Sequence, residues 1–277
     1  MFFFLSGYGL TASHQKGNRI KNFPRRTILP FYIIILGLTG LYSIFQLLMG
    51  RGIQFTEVVK SLTFGGTIIV FGWYLQVQLI YYLFFYVVYR YCRLERRIAV
   101  MICLHMCYML MCIFAGLPSL FYERTFMFVF GMVWCIKRKE IDAWIDKGAH
   151  AIILWLLSLA LFVILYVCSM LIHKEFVKIA ARGVSYFFFV TVVIIFFRRV
   201  EICNWITKFF SKISLELYVM QGMAIQFFHS ECVYLKNPID YIAVSTDASI
   251  LLAYLIHPLI VCIYRLCRTG LHVSECQ

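Results

Sequence analysis

Eight apolar runs constrain the fold of this chain more than any other feature. They cover residues 28–49, 67–89, 98–117, 121–136, 149–172, 183–197, 213–228 and 243–264. Most are long enough for a helix to cross the hydrocarbon core of a bilayer, which takes about 20 residues. Hydrophobic residues make up 62% and charged residues 14% of the 277 residues, so lipid must cover much of the surface. The sequence predicts an all-α integral membrane protein, a polytopic bundle of about eight transmembrane helices plus an N-terminal half-helix.

The basic residues are divided unevenly between the two sides of that bundle. Of the 26 Lys and Arg residues, 19 fall on one side, at 16–26, 90–97, 137–147, 198–212 and 265–268. The opposite loops hold the other seven: Arg51, Lys60, Arg124, Lys174, Lys178, Arg182 and Lys236. Because cytoplasmic loops are the basic ones, this split predicts a multi-pass protein of the cell (plasma or inner) membrane with a cytoplasmic C-terminus. The net charge of +13 suits anionic lipid headgroups, so we expect the bilayer as a partner and no nucleic acid.

The half-helix is the apolar segment at residues 1–11, which precedes the basic turn at 16–26. It is about half the length that a spanning helix needs, and it lacks the flanks of a signal peptide. We expect the rest of that helix, and an earlier one, to be encoded upstream of Met1, with a groove beside residues 1–11. Ser6 and Gly7 are small enough for close approach of either a neighbouring helix or a ligand.

Arg25 and Arg26 lie between Pro24 and Pro30 at the predicted membrane surface. Two guanidinium groups held there could clamp phosphates, because their planar donor forks match phosphate oxygens. The alternative is that they only anchor the topology and touch lipid headgroups.

Polar side chains inside the apolar runs are costly unless they are paired or functional. Gln78 and Tyr82 share one helix face, with Trp73 on the same helix, and they could line a polar groove or hydrogen-bond neighbouring helices. Glu216 and Gln221 lie together on a later run, where Glu216 suits a helix N-terminus.

The cysteines and histidines do not form a recognisable centre. Eleven cysteines, mostly inside apolar runs, imply no disulfide framework. Cys103 and Cys107 share a helix face from which His105 points away, so we expect no metal site. His257, before Pro258 in the last run, and His105 are both expected to be hydrogen-bonded structural histidines.

Five stretches together resemble a known family: FFFLSGYGL at 2–10, RRTILPFY at 25–32, GWYLQVQLIYYLFFYVVYR at 72–90, FMFVFGMVWCIKRK at 126–139 and ISLELYVMQG at 213–222. In order and spacing they are similar to the acyltransferase-3 family, integral-membrane O-acyltransferases. These enzymes move acetyl or other short acyl groups from acyl-CoA, such as acetyl-CoA, onto hydroxyls of cell-surface glycans. The resemblance implies one acyltransferase-like domain over 1–277, with a cytoplasmic entrance for the donor.

The resemblance also assigns provisional roles. Arg25 and Arg26, with Ser6 and Gly7, would bind the acyl-CoA donor, which is the only cofactor expected, and no metal is implied. The substrate groove would be formed by Trp73, Gln78, Tyr82, Glu216 and Gln221.

The family's catalytic Arg and His lie in a first helix that has no counterpart here, and Gln221 stands where the family often has His. Glutamine cannot act as a base, so the catalytic residues stay unassigned. On this reading, residues 1–277 alone are expected to insert into a membrane without acylating.

Two other classes of function remain open. A catalytically incompetent remnant, or a non-enzymatic membrane subunit, would share the same scaffold. A polysaccharide transporter or flippase is less well supported, because no matched pair of broken helices marks an internal repeat. The short outer loops do not indicate the acceptor or the acyl chain length.

Overall fold

The computed structural model describes residues 1–17, 20–147, 150–200, 204–230 and 233–274. Arg19 of the basic turn lies outside these ranges. Within them the chain forms α-helices and short helical turns and no β-strand, which confirms the all-α prediction. The helices are α1 (Phe2–Gln15), α2 (Leu29–Leu48), α3 (Phe55–Leu62), α4 (Trp73–Tyr91), α5 (Arg97–Phe114), α6 (Phe126–Ile136), α7 (Arg138–Ile145), α8 (His150–Leu171), α9 (Glu175–Arg199), α10 (Trp205–Lys212), α11 (Ser214–Phe228) and α12 (Pro238–Ser274).

Six helical stretches in the described ranges are long and apolar enough to cross a membrane. They are Pro24–Leu48, Leu94–Phe114, Ser119–Ile136, His150–Leu171, Glu175–Arg199 and Pro238–Cys267. The polytopic membrane architecture is therefore confirmed. The two other predicted runs are also helical, but α11 has only 15 residues and α4 carries Gln76, Gln78 and several tyrosines. Eight crossings, and the side on which the C-terminus lies, stay predictions.

One segment that we expected to be an outer loop is helical. Residues 174–182 form the cap and first turns of α9, which runs for 25 residues. The hydropathy pattern predicts only the part of this helix at 183–197, because the first turns carry Lys178 and Arg182. Lys178 also forms an i,i+3 ion pair of 3.2 Å with Glu175, an arrangement that supports a helix.

The chain packs as two compact units. The first consists of Met1–Lys21 and Phe84–Ile202, and the second of Asn22–Leu83 and Cys203–Gln277. Helix α4 contributes residues 73–83 to the second unit and 84–91 to the first. The prediction of a single acyltransferase-like domain stays a prediction.

In the first unit, α1 and α6 pack at very close range. A Cβ atom at Gly7 would overlap the carbonyl oxygen of Phe128, and one at Gly131 would overlap that of Phe4. The two helices therefore present glycine to each other's backbone, as small residues allow in membrane bundles. The Tyr89 hydroxyl extends this contact with a hydrogen bond of 3.3 Å to Thr11.

A cavity of about 480 Å³ lies beside α1, where we expected a groove. Its walls include Phe4 and Leu5, and its charged end includes Arg138, Asp142 and Arg198. Arg198 forms ion pairs with Asp142 and Asp146, which fasten α9 to α7. The side chains of Tyr8 and Asp142 raise the pKa of the Arg138 guanidinium, so this group stays positive.

In the second unit, α11 packs between α2 and α12. The Tyr42 hydroxyl donates a hydrogen bond of 2.6 Å to the carbonyl oxygen of Val219. One further contact, 3.0 Å between the side-chain amides of Gln46 and Gln226, joins the same two helices nearer their C-terminal ends. These bonds hold α11 in one register against α2.

Apolar side chains also cover surfaces that no described residue buries. Leu156 and Leu157 on α8 are both 54% exposed, and Leu255 and Leu259 on α12 are more than 60% exposed. In water such surfaces would be unfavourable, whereas acyl chains of lipids can cover them. These faces of α8 and α12 are the lipid-contacting surface expected of a membrane protein.

Candidate functional site

The basic turn at 16–26 ends in a wide helical turn at Pro24–Ile28, in which the Leu29 N–H bonds to the Pro24 carbonyl five residues earlier. Turns of this π type are frequent at functional sites. Arg25 and Arg26 lie on it and are both exposed. Neither forms an ion pair or side-chain hydrogen bond with a described residue. Both guanidinium forks are therefore available to an external anion.

Tyr82 connects the basic turn to α4. Its ring lies 6.2 Å from the ring of Phe23, which directly precedes the Pro24–Ile28 turn, and 5.2 Å from the ring of Phe31, in the first turn of α2. The turn also packs against α12. The structure thus brings one predicted groove residue next to the segment that carries the two arginines.

The two buried glutamines of α4 differ in the number of hydrogen bonds that their amides make. The Nε2 atom of Gln76 lies 2.7, 3.1 and 2.7 Å from the carbonyl oxygens of Lys60, Ser61 and Gly66, so this side chain fixes the segment between α3 and α4. Gln78 is 1% exposed, and neither polar atom of its amide has a partner among the described residues. Leaving a buried amide unsatisfied typically costs about 1–3 kcal/mol. Such a group is expected where a ligand or a water supplies the missing bonds.

Trp73 and Gln221, the other predicted groove residues of the second unit, are half-buried. The Trp73 ring lies edge-on to Tyr74, and Tyr74 packs at 5.3 Å against Tyr218 of α11. The Tyr218 hydroxyl donates a hydrogen bond of 3.3 Å to the carbonyl oxygen of Phe71. An aromatic cluster therefore joins the start of α4 to the start of α11, the helix that carries Gln221.

Glu216 and His257 form a pair that sequence reasoning missed. The sequence suggests Glu216 as a helix-terminal charge and a groove residue, and His257 as a structural histidine, but it does not join them. The structure places His257 Nδ1 2.8 Å from Glu216 Oε1. The side chain of Glu216 is 4% exposed and that of His257 is 29% exposed. A buried carboxylate thus orients an imidazole ring whose other side is open.

Ser6 and Gly7 lie in the first unit, on α1, whereas the other predicted site residues lie in the second. Gly7 serves the close packing of α1 on α6, one of the two alternatives open from the sequence. Ser6 is half-buried. A role for either residue in donor binding stays a prediction.

A polar cavity of about 440 Å³ lies in the second unit, at the loop that we predicted to face outward. Its lining includes Gln46, Arg51, Glu57, Lys60 and Thr67. The sequence predicts residues 50–66 only as a short outer loop. The cavity exists because α3 and the turn after it fold back beside the end of α2, which the sequence pattern does not reveal.

The comparisons with known proteins agree with this architecture. No curated protein and no solved structure matches the chain at a significant level. The family model described as an acyltransferase domain matches residues 1–264, which is nearly the whole chain. Motifs, helical membrane architecture and family match together make this a membrane acyltransferase domain, and the chain belongs to the acyltransferase-3 family.

Proposed function

We propose that the protein transfers an acetyl or other short acyl group from acyl-CoA to a hydroxyl of a cell-surface glycan or glycolipid. The observation that carries this proposal is the pair of exposed arginines, Arg25 and Arg26, without partners among the described residues. Acyl-CoA carries several phosphate groups, and guanidinium forks bind phosphate oxygens through paired, charge-assisted hydrogen bonds. By the predicted topology the two arginines face the cytoplasm, where acyl-CoA is available.

The surroundings of the arginines support a donor site rather than a simple topology anchor. Arg138 and Arg198, which also lie at helix ends, both form ion pairs with Asp142, and Arg198 forms a second one with Asp146. Arg25 and Arg26 have no such carboxylate among the described residues, so their charge is available to a ligand. Tyr82, Gln78 and the aromatic start of α4 would line the path of the pantetheine arm into the bundle.

The acceptor would approach from the opposite side. The 440 Å³ cavity beside α3 offers amide, hydroxyl and charged groups, which suit the hydroxyls of a glycan. Gln46 and Thr67 can hydrogen-bond neutral sugars, and Arg51 and Lys60 can hold an anionic one. We assign this cavity to acceptor recognition.

The experiment compares two pairs of Arg→Lys substitutions in purified protein in lipid nanodiscs. R25K/R26K keeps both charges but removes the planar forks, so the Kd for acetyl-CoA should rise about tenfold, and acyl transfer to glycans should fall at limiting donor. R93K/R96K is the matched control, since Arg93 and Arg96 are also exposed and are predicted to face the cytoplasm.

If the two double variants have the same Kd for acetyl-CoA, Arg25 and Arg26 serve only as topology anchors. Absence of radiolabelled acetyl transfer from acetyl-CoA to any glycan or glycolipid fraction would contradict the proposed function itself.

A further inference from the structure

His257 on α12 lies beside an acidic side chain. Its Nδ1 is 2.8 Å from Oε1 of Glu216. His150 instead bonds through Nδ1 to the carbonyl of Trp144, and the ring of His105 packs 5.4 Å from Phe126. The His257 ring is thus oriented by an acidic group.

The orientation determines which nitrogen can react. With Glu216 ionised, its carboxylate only accepts hydrogen bonds, so the hydrogen of this bond lies on Nδ1, and the lone pair of a neutral ring lies on Nε2. Nε2 has no hydrogen-bond partner among the described residues, and the side chain is 29% exposed. The accessible nitrogen is therefore the basic one.

The location of the pair matches the reaction. Glu216 lies in the first turn of α11, and His257 lies eight residues before Arg265, about 12 Å along the axis of α12. By the predicted topology both lie in the cytoplasmic half of the membrane. The Pro24–Ile28 turn, which carries Arg25 and Arg26, packs against α12 in the same unit. A thioester at the end of the pantetheine arm would lie deeper than the phosphates that the arginines hold.

We propose that His257, oriented by Glu216, is a catalytic base of acyl transfer. This inference rests on the proposed function and adds a residue to it, and it replaces the expectation that residues 1–277 alone do not acylate. Nε2 removes the proton of the acceptor hydroxyl as its oxygen bonds to the thioester carbonyl carbon. The tetrahedral intermediate then collapses, the C–S bond breaks with its electron pair on sulfur, and the proton on Nε2 passes to the thiolate, giving free CoA and the acyl ester.

In this scheme Glu216 is a positioning residue. Its carboxylate keeps the hydrogen on Nδ1 and stabilises the ring while it holds the second proton. Burial of the carboxylate makes this interaction stronger than it would be in water.

The kinetic test uses H257Q, E216Q and the control H173Q, because His173 is exposed. H257Q should lower kcat by about 10² to 10⁴ while the KM for acetyl-CoA stays within about a factor of two. E216Q should lower kcat by about 10- to 100-fold, again without a change in KM. H173Q should transfer at the wild-type rate. A kcat for H257Q within twofold of wild type would overturn the inference.

A second measurement on the unmodified protein does not depend on turnover or on the folding of a variant. Diethyl pyrocarbonate acylates accessible unprotonated imidazole, and peptide mass spectrometry gives the rate at each histidine. Acetyl-CoA should slow the modification of His257 and leave His173 unchanged. If no glycan or glycolipid accepts label but acetyl-CoA protects His257, the proposed acceptor fails, whereas the position of His257 beside the bound donor stands. If acetyl-CoA does not protect His257, the inference fails whatever the turnover.

Discussion

The Tyr42 hydroxyl of α2 lies 2.6 Å from the carbonyl oxygen of Val219 on α11, and both residues are fully buried. The next turn of α11 makes room for this bond, because a Cβ atom at Gly222 would lie 2.6 Å from the same hydroxyl. A tyrosine on one helix and a glycine on the other therefore fit together. Since α11 also carries Glu216 and Gln221, this contact sets the register of the helix that holds two candidate site residues.

Removing the Tyr42 hydroxyl should destabilise the protein without unfolding it. Y42F loses one buried hydrogen bond, which typically contributes about 0.5–1.5 kcal/mol. Y91F is the matched control, because Tyr91 is 75% exposed and should be neutral. Thermal unfolding of both variants in the same detergent measures the difference. Equal melting temperatures would mean that the bond contributes nothing to the packing of α11.

The glycines of α1 allow a paired test. In G7A the new methyl group would overlap the carbonyl oxygen of Phe128, so α1 must move away from α6. We expect a loss of about 1–3 kcal/mol, the usual cost of overpacking a close contact. In G9A the methyl group meets nothing within 4 Å, and the higher helix propensity of alanine should leave stability unchanged or slightly raised. Similar unfolding curves for G7A and G9A would show that α1 does not pack at this distance.

The contrast between these positions shows how far the sequence could lead. Hydropathy predicted the class and the approximate position of the helices, because burial in lipid depends on composition. The sequence left two roles open for Gly7, close helix packing and ligand binding, since both need a small residue. Deciding for packing required knowing how α1 is rotated relative to α6, and that rotation depends on the neighbouring helix.

The pairing of Glu216 with His257 was beyond sequence reasoning for a similar reason. The two residues are 41 positions apart and lie on different helices, and their contact depends on the register of α11 against α12. Each alone had an ordinary structural explanation. A buried acid and a histidine on separate membrane helices can be recognised as a pair only when the distance between them is known.

The charge distribution gives a topological prediction. Reporter fusions after Arg97, Lys147 and Arg268 should report the cytoplasm, and fusions near Lys60 and Lys236 should report the outside. These five positions cover both classes of loop, so they test whether the number of crossings between neighbouring positions is odd or even, as predicted. A fusion at Arg268 that reports the outside would remove one crossing and would place α4 or α11 in a non-spanning position.

The last prediction concerns the two glutamines of α4. For Gln78, stability and activity should change in opposite directions. Gln76 bonds to three backbone carbonyls, so Q76L should destabilise the turn between α3 and α4. Gln78 is just as buried, but neither polar atom of its amide has a partner in the described ranges. Q78L removes that unsatisfied group and should raise the free energy of unfolding by about 1–3 kcal/mol.

If the Gln78 amide instead bonds to donor or acceptor during the reaction, Q78L should also slow acyl transfer, so the variant would be more stable and less active. Q78N separates the two effects, because it keeps an amide but moves it by one methylene. Unfolding curves and initial rates on the same preparations make the comparison. A Q78L variant that is more stable and transfers at the wild-type rate would remove Gln78 from the site and leave it as a tolerated imperfection of the bundle.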